Sequence, residues 1–483
     1  MRGVQKMIVS DTKWTPDLSA VLSRSKYEAL ALAIREGVAS GQLQPGAQLP
    51  PVRDLAYRVG VTPGTVARAY RLLVDDRVLV AGVGRGTFVA DRPAHVPQGL
   101  SQDIAPNLAQ FAGELADHVD TGYFVSPRMP DMGQGAVMAQ VLGALAAQPA
   151  HLLMRYPSRI TDRAARAAFH ATLDQAAVGV ATIDDVVLAH GGQNAVVMIM
   201  QTILHGPAPA ILVDELSYNG FRSAAELCRA EVHSVPWDDE GPRADIFAQL
   251  VRQHRIQLYC TAAEVCNPTT RATSPARRAE IAQIARRHGV HVIDDDCYSR
   301  TRRLGPSYRA LLPDLGWYVT SPSKSLTPAL RIGFAVAPPS CSPALVRTAT
   351  GHSFGVSQLV CHAYASVMAA PELPRIMAEV TARIAQDVAC AVETLSGFDL
   401  AWADGAPFVW LTLPSPWRAG AFADAAQAAG VVVKSAEAFV QRDSRMVHAV
   451  RIAVNGELSH ADFRSAMGRI RALLDAPPAR IAV

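Results

Sequence analysis

Beyond about residue 120, short apolar runs alternate with helical segments, and this alternation constrains the fold more than any other feature of the chain. Each run has the length of one buried strand and ends in polar or turn residues: VVLAHGG, AILVDE, QLYCTAAE, HVIDDD and WYVTSPS. Continuous apolar strands with crossover helices are typical of a parallel sheet, which binds ligands at the carboxyl ends of its strands. We therefore predict an α/β domain with a mostly parallel sheet.

The first ninety residues predict a winged helix-turn-helix. Apolar residues recur at helical spacing from Tyr27 to Val38, and Gly41 predicts the end of that helix. Pro51 and Pro63 stand at first-turn positions of two further helices, the second of which Thr62 would cap. The segment RVLVAGVGRGTFVA predicts a hairpin. In this arrangement the N-terminal end of the second helix of the pair enters the DNA major groove.

The candidate contacts with double-stranded DNA are exposed positions of this segment. Hydroxyl and backbone N–H groups can meet phosphate, and arginines can reach the backbone or a base edge. The candidates are Arg53, Thr62, Gly64, Thr65, Arg68 and Arg85. Residues 1–93 hold 13 Lys and Arg against 8 Asp and Glu, whereas the whole chain has a net charge of +3. The positive excess therefore lies where a polyanion would bind.

The chain of 483 residues is too long for one ordinary core, so several domains are expected. A proline-rich segment after Asp91 predicts a linker. We predict a DNA-binding domain over residues 20–91, a linker over 92–118 and a large domain over 119–483. The seven cysteines form no CxxC pair, and no signal peptide or apolar run of about twenty residues is present. These features predict a cytoplasmic protein without a metal or a membrane partner.

Polar residues that follow the apolar runs have the chemistry of an aldehyde cofactor site. The amine of Lys324, partly desolvated after a strand, could form an imine with an aldehyde. Asp295 could keep a pyridinium nitrogen protonated, as an electron-sink cofactor requires. Tyr298 and Asn267 could hydrogen-bond a phenolic oxygen, and Tyr218 could stack on a flat ring. Taken singly, the DDD segment also suits a solvated loop or a divalent-metal site.

A second group of residues has the chemistry of a phosphate site. The segment HGGQNA places Gly192 and Gln193 at the start of a helix, where backbone N–H groups bind anions. In SPSKSLTPALR, the hydroxyls of Ser321 and Ser323 and the guanidinium of Arg331 could complete the phosphate site.

These motifs resemble two known families. The segment from SGQLQPGAQLPPVRDLA to GRGTFVA resembles the DNA-binding domain of the GntR family of bacterial transcription regulators. The phosphate loop, stacking tyrosine, NPT turn, D-x-x-Y and S-x-S-K-x(6)-R occur in the order found in fold-type I aminotransferases, which bind pyridoxal 5′-phosphate (PLP). Together they make the chain similar to the MocR/GabR subfamily of bacterial regulators.

The resemblance implies roles that the residues alone do not show. Lys324 would be the Schiff-base lysine, with Asp295 as the partner of the pyridinium nitrogen. Tyr156 in MRYPSR matches a tyrosine that reaches the phosphate of the neighbouring subunit. Arg451 in AVRIAVN matches the arginine that binds the α-carboxylate of an amino acid. The subfamily also forms a head-to-tail homodimer in which one chain's DNA-binding domain contacts the other's large domain.

Several positions depart from the family pattern. Pro63-Gly64 replaces a larger polar pair, and Cys297 stands where regulators of this group have tyrosine. Gly192 stands where many relatives have a phosphate-binding serine, and Thr270 replaces the glycine of the NPTG turn. Asp295 is favoured as the ring partner because the fold uses an i, i+3 pair with Tyr298, and Asp296 stays open as the alternative.

The favoured function is a PLP-dependent transcriptional regulator that senses PLP or an amino compound, the latter by forming an external aldimine that displaces Lys324. An active aminotransferase that carries a DNA-binding domain is the alternative, because fold and cofactor do not establish turnover. A third hypothesis is a regulator whose large domain has lost PLP. The winged helix speaks against an ordinary transaminase, and the intact Lys324, Asp295 and Arg331 speak against loss of the cofactor.

Overall fold

The computed structural model describes residues 26–75, 78–82, 86–90, 122–148, 154–440 and 447–477. Contacts divide the chain into two compact units, Met1–Ile104 and Ala105–Val483. The predicted linker, 92–118, lies outside the described residues. Among the described helices, none combines the length and apolarity needed to cross a membrane.

Within its described residues, the N-terminal unit contains three helices and a hairpin. These elements are α1 (Lys26–Ala39), α2 (Val52–Val59), α3 (Pro63–Asp75), β1 (Leu79–Gly82) and β2 (Gly86–Val89). One face of α3 is apolar, and its residues Val66, Ala69, Tyr70 and Leu73 are all buried in one core. Helix α3 begins at Pro63 as predicted, whereas α2 begins after Pro51, which has an extended ψ of 145° and precedes the first turn.

A seven-stranded sheet forms the centre of the C-terminal unit. Its strands are β3 (Val186–Ala189), β4 (Ala210–Asp214), β5 (Glu231–Val235), β8 (Leu258–Thr261), β9 (His291–Asp295), β10 (Gly316–Thr320) and β11 (Gly333–Val336). The order across the sheet is β3-β11-β10-β9-β8-β4-β5. Strand β11 is antiparallel to both of its neighbours, and the other pairings are parallel. All five strands predicted from apolar runs are present.

Helices pack on this sheet, and further helices follow it toward the C-terminus. The described helices of the C-terminal unit are α4 (Gln134–Ala146), α5 (Arg163–His170), α6 (Gln175–Val178), α7 (Gly192–Ile203), α8 (Asn219–Leu227), α9 (Ala244–His254), α10 (Pro275–His288), α11 (Tyr308–Leu311), α12 (Ser342–Ser353), α13 (Gln358–Met368), α14 (Leu373–Thr394), α15 (Ala419–Ala428) and α16 (His460–Asp475). Short 3₁₀ turns span Ile183–Asp185, Pro322–Lys324 and Ala436–Ala438. Local sequence sets both ends of α10. The Ser274 side chain caps its start, and Gly289, at φ 68°, ends it.

Consecutive residues of the central strands enter different cores, as expected of a sheet covered on both faces. Ile211 and Val213 pack with the residues of α7 and α8, whereas Leu212 packs with Phe247 and Ile281. This arrangement explains why the sequence shows continuous apolar runs instead of an alternating pattern.

A smaller antiparallel sheet lies near the C-terminus. It consists of β12 (Leu400–Ala401), β13 (Phe408–Thr412), β15 (Ala449–Ala453) and β14 (Lys434–Ser435), in that order, and a separate pair joins β6 (Trp237–Asp238) to β7 (Gly241–Pro242). Residues of β13, β15, α14 and α16 form a third core. This sheet places Arg451, at the centre of β15, against Trp410 of β13.

Candidate functional site

The carboxyl ends of β9 and β10 place Asp295 and Lys324 in one region. The two strands are parallel neighbours in which Val319 lies opposite Asp295. Strand β10 ends at Thr320, and a 3₁₀ turn capped by the Ser321 hydroxyl leads directly to Lys324. Cys297, two residues beyond Asp295, lines the same cavity as Lys324.

Lys324 has polar partners that the sequence did not indicate. Its Nζ donates to the Oγ of Ser126 at 3.2 Å and to the carbonyl oxygen of Pro127 at 3.4 Å. Both partners lie almost 200 residues earlier in the chain, so no spacing pattern could have identified them. Lys324 is half-buried, with its amine directed at this segment.

The two adjacent aspartates have different partners. Asp296 is buried and accepts hydrogen bonds from the Tyr318 hydroxyl at 2.6 Å and from the Arg303 guanidinium at 2.5 Å. The Oδ1 of Asp295 accepts the backbone N–H of Cys297 at 3.1 Å. Burial raises the pKa of Asp295, and it raises the pKa of Asp296 to about 6 although Arg303 opposes the shift.

The phosphate-site residues lie around the start of α7. Pairing of β3 with β11 brings Gly333 opposite Ala189, so the Arg331 loop approaches the helix start. Arg331 Nη2 donates to the His190 carbonyl at 3.3 Å, and a Cβ on Gly191 would lie 2.6 Å from the same nitrogen. The positive φ of 92° at Gly191 also requires glycine.

The predicted serines form a small hydrogen-bonded group after β10. Ser321 Oγ donates to the Ile332 carbonyl at 2.8 Å, and Ser323 Oγ lies 2.8 Å from the same hydroxyl. Because Ile332 follows Arg331, this bond ties the serine turn to the arginine loop. The structure therefore brings the two hydroxyl groups and the guanidinium loop together.

Gln193 and Tyr218 meet at Gly220. Gln193 Nε2 donates to the Gly220 carbonyl at 2.8 Å, and a Cβ on Gly220 would collide with both the Gln193 side chain and the Tyr218 ring. Tyr218 stands at the start of α8, with its ring edge-on to Phe221. Glycine at position 220 thus allows the amide and the predicted stacking ring to approach one another.

Asn267, Tyr298 and Arg451 share one wall of the site. The Arg451 guanidinium donates to Asn267 Oδ1 and to the Val125 carbonyl, and it lies over the rings of Phe408 and Phe439. Tyr298 packs edge-on against Phe408, with ring centroids 5.0 Å apart. The residues predicted for the phenolic oxygen and for the α-carboxylate are therefore neighbours.

Thr270 retains the backbone geometry of the glycine that it replaces. Its φ is 61°, in the left-handed region that favours glycine, and its side chain is buried. Its backbone N–H donates to the Cys266 carbonyl at 2.7 Å, which closes the turn that carries Asn267.

Tyr156 stands apart from these residues. Its side chain is 80% exposed, and its ring lies 5.7 Å from that of Phe354, which is 65% exposed. The resemblance implies that Tyr156 contacts the phosphate bound by a neighbouring subunit. This role stays a prediction, because the structure contains one chain.

A cavity of about 700 Å³ opens beside Lys324. One wall is the apolar face of α14, which includes Val380, Ile384 and Val388. Cys297, Tyr298 and Lys324 are also among the residues that line the cavity. The site therefore has room for a small organic molecule next to the lysine.

The predicted DNA-binding residues lie around the start of α3. The Thr62 hydroxyl accepts the backbone N–H of Thr65 at 3.3 Å, which confirms the predicted cap. Arg68 is exposed, with its guanidinium 4.1 Å from the centroid of the Tyr27 ring. Arg53 and Thr62 are also exposed, as is Gly64. Thr65 is half-buried, not exposed as predicted, and Arg85 lies outside the described residues.

Comparison with known proteins matches both halves of the chain. The model of the family "Aminotransferase class I and II" matches residues 130–470. The chain belongs to this family. Residues 26–89 match "Bacterial regulatory proteins, gntR family", which confirms the predicted winged-helix domain fused to an aminotransferase-like domain.

The relatives of this aminotransferase-family chain include regulators. The chain is 23% identical over 464 residues to the uncharacterized HTH-type transcriptional regulator YdeF of Bacillus subtilis, covering 96% of this chain and 97% of the relative. It is 25% identical to the probable rhizopine catabolism regulatory protein MocR of Rhizobium meliloti, covering 70% of each chain. The crystal structure of an archaeal alanine:glyoxylate aminotransferase shares its fold at TM-score 0.67 and 17% identity, covering 78% of this chain and 96% of the other.

The cofactor of the aminotransferase class I and II family is PLP, as the sequence predicted, and the residues present fit it. Gly191 and Gly192 carry no side chains at the start of α7, and a Cβ at Gly191 would lie 2.6 Å from the Arg331 guanidinium. Backbone N–H groups, two hydroxyls and a guanidinium converge there, which is the donor set of a phosphate site. Lys324 and the carboxyl of Asp295 complete the set that the pyridine ring and its aldehyde require.

Proposed function

We propose that this protein is a bacterial, PLP-dependent transcription regulator that binds operator DNA through its N-terminal unit. The observation that supports the proposal is that Asp295 and Lys324 follow neighbouring parallel strands in a chain that also has a GntR-type domain. An aminotransferase needs no DNA-binding domain, whereas a transcription regulator needs one domain that binds an effector and another that binds DNA.

The residues would have separate tasks toward PLP, which supplies a reactive aldehyde on a ring that accepts electrons. Lys324 would hold the aldehyde carbon through its Nζ. Asp295 would hold a proton at the ring nitrogen, and Tyr218 would stack on the ring. Asn267 and Tyr298 would hydrogen-bond the phenolic oxygen.

The phosphate would be held by groups that can all donate hydrogen bonds to its oxygens. Arg331 supplies the cationic group, and the α7 start supplies backbone N–H groups that carry partial positive charge. The full set proposed for the phosphate is Gly192, Gln193, Ser321, Ser323 and Arg331, with Tyr156 of a second subunit. This last contact requires the proposed head-to-tail homodimer.

The proposed effector is PLP itself or an amine or amino acid that takes the place of Lys324 at the aldehyde. Arg451 would bind the α-carboxylate of an amino acid, exchanging its hydrogen bond with Asn267 for one with the ligand. Transmission to DNA requires that the effector bind two global states with different affinity. Because its partner is DNA, the protein would act in the bacterial cytoplasm.

The first experiment locates the covalent bond. The chain has only five lysines, of which Lys324 and Lys434 lie in the C-terminal unit. We expect borohydride reduction of the PLP-loaded protein, followed by peptide mass spectrometry, to find the cofactor on Lys324. Lys324→Ala should lose the visible absorbance of bound PLP, whereas the control Lys434→Met should keep it. Labelling of any other lysine would contradict the assignment.

The second experiment separates regulation from turnover. We expect PLP or a candidate amine to change the affinity of the protein for the promoter next to its own gene, measured by fluorescence anisotropy. Lys324→Ala should abolish the response while it leaves binding of unliganded protein intact. Steady release of a keto acid from an amino donor, without any effect on DNA affinity, would instead support the aminotransferase alternative.

A further inference from the structure

Two positions that depart from the family pattern meet in space. Gly192 is the first residue of α7, and Cys297 lies in the turn after β9. A Cβ built on Gly192 would lie 3.0 Å from the Cys297 sulfur, and the next nearest atom is the Ser321 Cβ at 3.9 Å. The thiol therefore occupies the space into which any side chain at position 192 would project.

The Cys297 thiol also lies among the cofactor residues. The backbone N–H of Cys297 donates to the Asp295 carboxylate, and Cys297 and Lys324 line the same cavity. Burial, reinforced by the Asp295 carboxylate, raises the pKa of this thiol well above its usual value, although Lys324 opposes the shift. The thiol therefore stays neutral at physiological pH and acts through its volume.

We propose that Gly192 and Cys297 form a matched pair that sets how tightly the phosphate of PLP is held. With the sulfur in place, α7 offers its backbone N–H groups to the phosphate but no hydroxyl from position 192. The inference rests on the proposed PLP site. Its consequence is a cofactor that exchanges more readily than one held by an additional hydroxyl.

The test is a double-mutant cycle on the full-length protein. The dissociation constants of PLP would be measured by equilibrium dialysis for the native protein, Gly192→Ser, Cys297→Ala and the double variant. A hydrogen bond to a charged phosphate corresponds to about tenfold in affinity. We expect the double variant to bind PLP about tenfold more tightly than the native protein. Gly192→Ser alone should bind no more tightly, because its Cβ meets the sulfur.

Two controls identify the cause of the coupling. Gly143→Ser places the same side chain on a helix position with no atom within 4 Å, so it should leave PLP affinity unchanged. Pyridoxal lacks the phosphate, so its affinity should not rise in the double variant. If Gly192→Ser does not fold, Gly192→Ala with and without Cys297→Ala tests the same contact, and Cys297→Ala should then restore PLP binding.

The possible failures are distinguishable. If the native protein binds PLP and the two substitutions act additively, the matched pair is overturned and the proposed function stands. An equal gain for pyridoxal and PLP in the double variant would also overturn it, because the hydroxyl would then not act on the phosphate. If the native protein binds no PLP and borohydride labels no lysine, both the pair and the proposed site are wrong.

Discussion

Arg303 and Asp296 form an ion pair with 2.5 Å between Nη1 and Oδ2, and this pair separates the roles of two adjacent aspartates. Asp296 also accepts the Tyr318 hydroxyl, so its carboxylate is held by two side chains. Asp295 accepts a backbone N–H of its own turn. The ion pair thus fixes the turn in which Asp295 stands, and it supports Asp295 as the partner of the pyridinium nitrogen.

We expect Asp295→Asn and Asp296→Asn to have different effects. Asp295→Asn should change the absorbance of bound PLP and its pH titration while it leaves stability nearly unchanged. Asp296→Asn should remove the nearer of the two carboxylates that pair with Arg303, leaving Glu264 at 3.8 Å, and breaking a buried pair costs about 3 kcal/mol. Thermal unfolding and absorbance titration of both variants would measure this. A spectral change confined to Asp296→Asn would reverse the assignment.

Arg68→Ala should weaken binding to all DNA sequences and reduce the salt dependence of the affinity. Removing one protein–phosphate interaction lowers the slope of log K against log salt by about one. The measurement is anisotropy at several salt concentrations, with Arg252→Ala, an exposed helix position of the C-terminal unit, as the control. An unaltered slope for Arg68→Ala would argue against a bond between this arginine and a phosphate.

The packing of Arg68 over Tyr27 makes a second variant informative. Tyr27→Leu keeps an apolar side chain next to the α3 core but removes the aromatic face that holds the guanidinium. We expect a smaller loss of DNA affinity than in Arg68→Ala, with the salt slope retained, because the charge is still present. Equal losses in both variants would show that the orientation of Arg68 matters more than its charge.

Local patterns predicted the elements of this fold well, because they depend on neighbours in sequence. The apolar run that became β9 ends at Asp295, and the Thr62 cap begins at the predicted place. The order of polar residues after the strands also predicted which groups gather, since parallel strands end at one edge. For the same reason Lys324 and Asp295 could be paired from the sequence.

Contacts across long stretches of sequence were not predictable in this way. The bond from Lys324 to Ser126 spans 198 residues, and the bond from Arg451 to Asn267 spans 184. No sequence pattern around Ser126 or Asn267 predicts the residue to which each is hydrogen-bonded. The approach of Gly192 to Cys297 likewise depends on the packing of α7 against the sheet, although each departure was visible separately.

Arg451→Lys should lower the affinity for amino acids but not the affinity for amines that lack a carboxylate. Lysine keeps the charge but cannot donate two parallel hydrogen bonds to a carboxylate, so an amino acid should lose affinity by about tenfold or more. An amine without a carboxylate should bind as before. Titration of the PLP-loaded variant with an amino acid and its decarboxylated amine, followed by absorbance, tests this. Equal losses for both ligands would place the carboxylate elsewhere.

Asp214 should make the stability of the C-terminal unit depend on pH. Its buried carboxyl accepts hydrogen bonds from Tyr259, Thr261 and Trp237, and burial raises its pKa to about 6 in spite of these donors. The folded state therefore binds a proton that the unfolded chain, with an aspartate pKa near 4, releases between about pH 4 and 6.

Because the folded state holds more protons in that window, the contribution of Asp214 to the free energy of unfolding falls as pH rises from about 4 to 6 and is constant above it. The full difference is about 3 kcal/mol for a shift of about two pKa units. Urea unfolding of the native protein and Asp214→Asn across this range would reveal it. The difference in stability between the two proteins should depend on pH between about pH 4 and 6 and be flat above. A difference that is flat throughout would show that the three hydrogen bonds outweigh burial and keep the carboxyl ionised.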